Sequence, residues 1–152
     1  MLTKADITDH TQLRELLKPL RAEAKPLWGK MSAQQMIEHL IEQLRYTNGV
    51  LEPILDVAPD VALRRKLITK QRDADIPKNV YLGELPDTLE YPDLETAIDQ
   101  LILELKRFDR HFETPGREAI HGGFGPMNHE EWIWWHNKHF THHFKQFGLM
   151  PE

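Results

Sequence analysis

The chain contains no cysteine. That absence excludes disulfides, thiolate zinc sites and a cysteine nucleophile, so any thiol chemistry here needs a thiol from outside. No apolar run approaches the ~18 residues of a membrane span. The opening residues, MLTKADITDH, lack the apolar core of a secretion signal. A cytoplasmic protein without a membrane partner is expected. Positive charge is not in excess either. The net charge is −5 with histidines neutral, which disfavours general binding to nucleic acid or anionic lipid. The one basic cluster (Arg64, Arg65, Lys66, Lys70, Arg72) runs straight into Asp73 and Asp75 and reads as a solvated helix face. Strand-like alternation and internal repeats are both missing.

What remains is helical. The 152 residues, 40% hydrophobic and 28% charged, suit a single globular domain over residues 1–152. Leu13, Leu16, Leu17, Leu20, Ala24 and Leu27 predict a helix from about Thr11 to Leu27, with a kink or late start at Pro19. A second helix opens on Ser32 with Gln35 three residues on, a capping-box pattern. It carries Ala33, Met36, Ile37, Leu40, Ile41 and Leu44, and stops near Asn48-Gly49. A third begins after Pro92 with Asp93 as cap. Its Leu94, Ile98, Leu101, Leu105, Phe108 and Phe112 form the seam of a packed bundle helix. The fourth follows Gly125-Pro126, with Asn128 as cap and Glu131 three residues later, and ends at Gly148. More than forty proline-rich residues separate the second and third, with a short helix expected around Asp60 to Thr69. A connection that long lets consecutive helices run parallel. The predicted fold is an all-α four-helix bundle with a long crossover between helices 2 and 3.

The last helix holds the most chemistry. WIWWHNKHFTHHFKQF, from Trp132 to Phe147, has four histidines and six aromatics. His139 and His143 lie four apart, so their imidazoles sit one turn above each other on one face. Against an apolar face centred on Ile133, Phe140, Phe144 and Phe147, His143 falls roughly 60° and His139 roughly 100° from the centre. Both are on a flank, along a seam between helices. His39 is similarly off-centre in the second helix, beside Met36 and Gln43. Two neutral imidazoles at i, i+4 are half of a transition-metal site, and His39 can complete it. The same spacing also suits partly buried histidines bonded to carbonyls. The zinc-protease pattern HExxH is absent, because Phe140 follows His139. His136, one turn earlier, is the best substitute ligand. His142 points about 100° away from the pair, as a residue behind the ligands or at the surface. His10 and His129 read as surface residues, and His111 as a cation at a helix C-terminus.

WGKMSAQQMIEHLI and WWHNKHFTHHFKQFG resemble the two signature stretches of the DinB-like (YfiT-like) superfamily, nearest to a branch of unknown function. HGGFGPMNHEEW, from His121 to Trp132, is similar to that branch's lead-in to the last helix, with Gly122 where proline is expected. The resemblance implies helices in up-down-down-up order and a divalent metal held by His39, His139 and His143, with Gln146 following. It also implies kinship to metal-dependent thiol transferases, which join low-molecular-weight thiols to electrophiles.

Such a site, with three imidazoles and an open position, suits zinc or nickel and an exogenous thiol aimed at a small-molecule electrophile. Gln146 and Gln43, each one turn beyond a ligand histidine, are candidates for positioning a ligand or substrate. Metal-dependent hydrolysis is an alternative that needs a proton shuttle, for which His121 and His136 are the candidates. A bundle with structural histidines, or with a metal that only stabilises it, is the non-enzymatic alternative. Trp134 and Trp135 project roughly 120° and 140° from the apolar centre in opposite senses. Large apolar side chains on opposite sides need cover, so a homodimer is expected.

Overall fold

The computed structural model describes residues 2–79 and 85–152. Among them are five helices and a two-stranded hairpin: α1 (His10–Leu17), α2 (Ala33–Arg45), α3 (Pro59–Arg72), α4 (Leu94–His111), β1 (Ala119–His121), β2 (Gly125–Met127) and α5 (His129–Gln146). The starts of the helices follow the local sequence. Ser32 accepts from the Gln35 N–H while the Gln35 side chain takes the Ser32 N–H, and Asn128 and Glu131 do the same for α5. Asp93 accepts from the Thr96 N–H at 2.7 Å. Gly148, with φ +69, turns the chain after α5 at little steric cost.

One core joins α1, α2, α4 and α5. Leu13, Met36, Ile37, Leu40, Ile41, Leu44, Leu101, Leu105, Phe108, Phe140 and Phe144 are almost wholly buried in it. The contacts between α2 and α4 are the most extensive of any helix pair. No helix among the described residues is long and apolar enough to cross a membrane.

Three expectations are corrected. The first helix ends at Leu17 rather than Leu27, because Pro19 has no N–H for the next turn. Leu20 still reaches the core from the irregular stretch that follows, whereas Leu27 is exposed. Strands do occur: Ala119 pairs with Met127, Ile120 with Pro126 and His121 with Gly125. Three residues per strand, with Gly and Pro in one of them, leave no alternation to detect.

The third correction concerns the basic cluster. It lies on α3 as expected, but Lys66 and Lys70 both reach Glu131 of α5, at 3.3 and 3.1 Å. Lys66 also donates to the Pro126 carbonyl at 3.0 Å. Of α3 only Ala62 is buried. This helix, longer than the predicted segment at both ends, is held to the hairpin and α5 largely by its charges.

Candidate metal centre

His39 stands two turns into α2, on the flank of its buried stripe. The neighbouring residue ties that flank down: the Glu38 carboxylate accepts the N–H groups of Glu90 and Tyr91 at 2.7 and 3.2 Å. Gln34 donates to Glu38 and to the Tyr91 carbonyl, at 2.9 and 2.8 Å. On the facing helix, α5 is fixed at its start by the capping box and by Trp132, whose indole N–H donates to the Ala119 carbonyl at 3.0 Å. The side chains of His39, His139 and His143 thus meet between two anchored helices.

Their Nε2 atoms converge. His139 Nε2 lies 3.1 Å from His39 Nε2 and 3.0 Å from His143 Nε2. The rings meet edge-on, at interplanar angles of 88°, 76° and 63°, with centroids 4.9, 5.0 and 4.7 Å apart. All three ligand atoms fall within 4.8 Å of one another, so the group could hold a metal ion. Imidazole nitrogens about 2.0–2.1 Å from a tetrahedral zinc are separated by about 3.3 Å, close to what is seen here.

The protons argue the same way. Gln146 Nε2 donates to the Trp28 carbonyl at 3.1 Å, so its Oε1 is the atom 2.8 Å from His143 Nδ1. An amide oxygen accepts, hence His143 Nδ1 carries a proton and its Nε2 presents a bare lone pair to the cluster. Three imidazole edges this close need either an Nε2 proton on one neutral ring, donated to its neighbours, or a metal between them. Burial makes an added proton, and with it a charged ring, a poor choice. It pushes His39 down to about 4 and His143 to about 3, with the neighbouring histidines adding to it, and holds His139 well below the ordinary 6.5. A set of neutral imidazoles with converging Nε2 atoms fits a transition metal.

The other predicted residues are distributed around this group. Gln146, buried, orients His143. Gln43 is half-buried and makes no hydrogen bond among the described residues. His136 is fully buried, and its Nε2 lies 3.0 Å from Thr47 Oγ1. Thr47 directs its own proton to the Leu44 carbonyl, so His136 is the donor of that pair. Its ring packs on Trp132 and Phe108. His121 accepts from the Gly123 N–H and stacks on Phe124, and burial pushes it to about 4. Trp135 packs against both His121 and His139, at 4.7 and 6.3 Å between centroids. His142 sits beside Trp28 and His143.

Some residues differ from their reading in the sequence. His111 is no C-terminal cation: it accepts a hydrogen bond from Arg117, and burial together with that charge lowers its pKa. His10 pairs with Asp109 at 3.1 Å, and His129, half-buried, stacks on Phe112. Trp134 donates to Asp73 at 2.8 Å and Trp135 packs on His121 and Phe124. Both tryptophans therefore have cover from their own chain, and neither needs a second subunit to cover it. Trp28, whose carbonyl sets Gln146, carried no readable sign of that role, because the partner lies 118 residues away.

No curated protein and no solved structure matches the chain. Residues 7–147, which span both anchored helices and the three histidines, match the family model of the DinB superfamily, and the chain belongs to that superfamily.

Proposed function

We propose that His39, His139 and His143 bind a divalent transition metal, zinc or nickel, and that the protein is a metal-dependent thiol transferase. The observation that carries this is the convergence of three Nε2 atoms, one of them fixed as a lone pair by Gln146. A divalent ion held by three neutral imidazoles keeps its full charge and an open position, and lowers the pKa of a thiol or water bound there.

The residues of the chain supply the rest. Gln146 locks the His143 tautomer, and the Trp28 carbonyl locks Gln146. Trp135 packs against His139 and limits water on that side. Because cysteine is absent, the thiol is an exogenous low-molecular-weight one, and its partner is a small-molecule electrophile. Hydrolysis is the weaker reading, since His121 Nδ1 and His136 Nε2 are engaged elsewhere, by Gly123 and Thr47. A cytoplasmic location accords with a cysteine-free chain whose substrates would include a reduced thiol.

Two measurements test this. Tag-free protein should carry one equivalent of metal, or take it up with a rise in melting temperature, and His143→Ala should lose both effects. Metal-loaded wild type should then consume thiol with generic electrophiles faster than His143→Ala. Protein that never takes up stoichiometric metal refutes the site. Metal without thiol turnover leaves the non-enzymatic bundle as the answer.

A further inference from the structure

Behind the three histidines, on the other side of Trp28 and His142, lies a cavity of about 110 Å³. Lys78, Lys138 and Lys145 line it with those two rings, as do Asp75 and Glu152. Three ammonium groups and an indole N–H thus face two carboxylates. The Trp28 indole N–H can only donate, and it is shielded from water with no partner among the described residues. The Lys78 ammonium sits 4.5 Å above the Trp28 ring. Lys78 and Lys145 each make one carboxylate contact, to Glu152 at 3.1 Å and Asp75 at 3.4 Å. Those carboxylates are 53% and 77% exposed, so both can turn to water, and pairs this exposed contribute little. Lys138 is nearly buried and better engaged, by Asp73 and the Ala74 carbonyl.

We infer that this cavity is a binding site for a compact oxyanion, the carboxylate or phosphate of a small molecule, with Trp28, Lys78 and Lys145 as donors. The volume exceeds the roughly 30 Å³ share of one water and suits such a group. Charge-assisted hydrogen bonds from two ammonium groups and an indole match its oxygens, and the ring beneath Lys78 holds that amine over the cavity. The site adjoins the proposed metal centre through two links: the Trp28 carbonyl fixes Gln146, and the His142 ring lies 5.0 Å from His143. On the reading proposed above, the anion belongs to a substrate whose reacting end lies at the histidines.

The test uses the full chain, metal-free, with labelled indole nitrogens and with inorganic phosphate and acetate as probes. Trp28→Phe identifies the Trp28 N–H resonance among four tryptophans. That resonance should shift saturably with phosphate, acetate or both, and not with sodium chloride of equal ionic strength. Whichever probe binds names the anion class. Lys145→Ala and Lys78→Ala should each weaken binding by about tenfold or more. His143→Ala should retain anion binding, so loss of metal there speaks only to the metal centre. A linear shift that chloride reproduces overturns the inference, as does wild-type affinity in both lysine variants.

Discussion

Two groups of polar side chains are buried against α2, and they are built on opposite plans. Around Glu104, which is completely buried, every charge has a complement. Arg45, Asn48, Gln100 and Arg107 all donate to its carboxylate, at 3.0, 2.9, 2.8 and 3.2 Å. Arg45 also reaches Glu90 and the Tyr91 hydroxyl. Burial alone would raise the Glu104 pKa, but the hydrogen bonds from Gln100, Asn48 and Arg45 hold it below the usual range. Around His39 the pattern is like against like, with three Nε2 atoms facing one another. The first group is closed and fastens α2 to α4. The second has no charged complement and leaves room for a cation among its nitrogens, which is how a ligand site differs from a structural network.

Acid should separate the two most strongly. His39 and His121 titrate at about 4 and His136 and His143 at about 3 in the folded protein, against 6.5 when unfolded, and His139 is lowered as well. Below pH 6.5 the unfolded chain therefore binds protons that the native state refuses, and stability falls with pH. It goes on falling until the folded pKa values are reached. At pH 5 each such group costs about 2 kcal/mol, so the set together rivals the stability of a whole domain. Metal-free protein should unfold cooperatively at roughly pH 5, as followed by circular dichroism. Glu104 resists this window because its pKa is low. A metal-free protein still folded at pH 4 would show that the histidines are far less desolvated than their positions indicate.

Substitution should then give contrasting outcomes. Glu104→Leu leaves Arg45 as a charge without its buried partner and should cost about 3–5 kcal/mol in denaturant unfolding. His39→Leu in metal-free protein removes one of three desolvated imidazoles and should cost less than about 1 kcal/mol, or stabilise. The same His39→Leu protein should lose stoichiometric metal. Equal losses for the two variants would mean that the histidine group is as closed as the Glu104 network.

The parts of this arrangement that could be read in the sequence are those set by neighbours along the chain. Ser32 with Gln35, Asp93, and Asn128 with Glu131 announce helix starts because a cap bonds within three residues. The i, i+4 spacing of His139 and His143 places them together for the same reason. His39 joins them only through tertiary packing, so its off-centre place in the second helix made it a candidate and the family resemblance alone implied a ligand. Glu104 falls off the predicted apolar seam of α4 and looks like a solvent residue until Arg45 and Asn48, from and just beyond α2, arrive opposite it. Trp134 and Trp135 suggested a missing subunit because their cover, Asp73 and the Phe124 loop, is supplied by segments without a motif.

A smaller effect isolates Gln146. Gln146→Leu keeps the volume but removes the acceptor that holds the His143 Nδ1 proton. The ring can then adopt the other tautomer, with a proton where the metal would bind. Metal affinity should fall about 10- to 100-fold, the usual cost of losing a partner behind a ligand histidine. Gln146→Glu keeps an acceptor at the same place and should recover most of it. If Gln146→Leu binds metal like wild type, the hydrogen bond at 2.8 Å does not set the tautomer.

The smallest expected effect is proton release from the ligand histidines on metal binding, and it should be close to nil. Ordinary histidines, with pKa values near 6.5, carry about a quarter of a proton each at pH 7 and must release it to bind. His39 at about 4 and His143 at about 3 are already neutral there, as is His139, so the ion displaces nothing from them. Titration calorimetry in buffers of different ionisation enthalpy should return the same heat at pH 6, where a metal-bound water, with a pKa of about 7, stays largely protonated. The affinity should weaken below about pH 5, as the metal-free protein unfolds and its histidines take up protons. Release approaching one proton per metal at pH 6 would mean that one of the three rings is held charged in the metal-free protein, bonded to a neighbour instead of repelled by it. The comparison with the Glu104 network would then fail, because the histidines too would form a satisfied ion cluster.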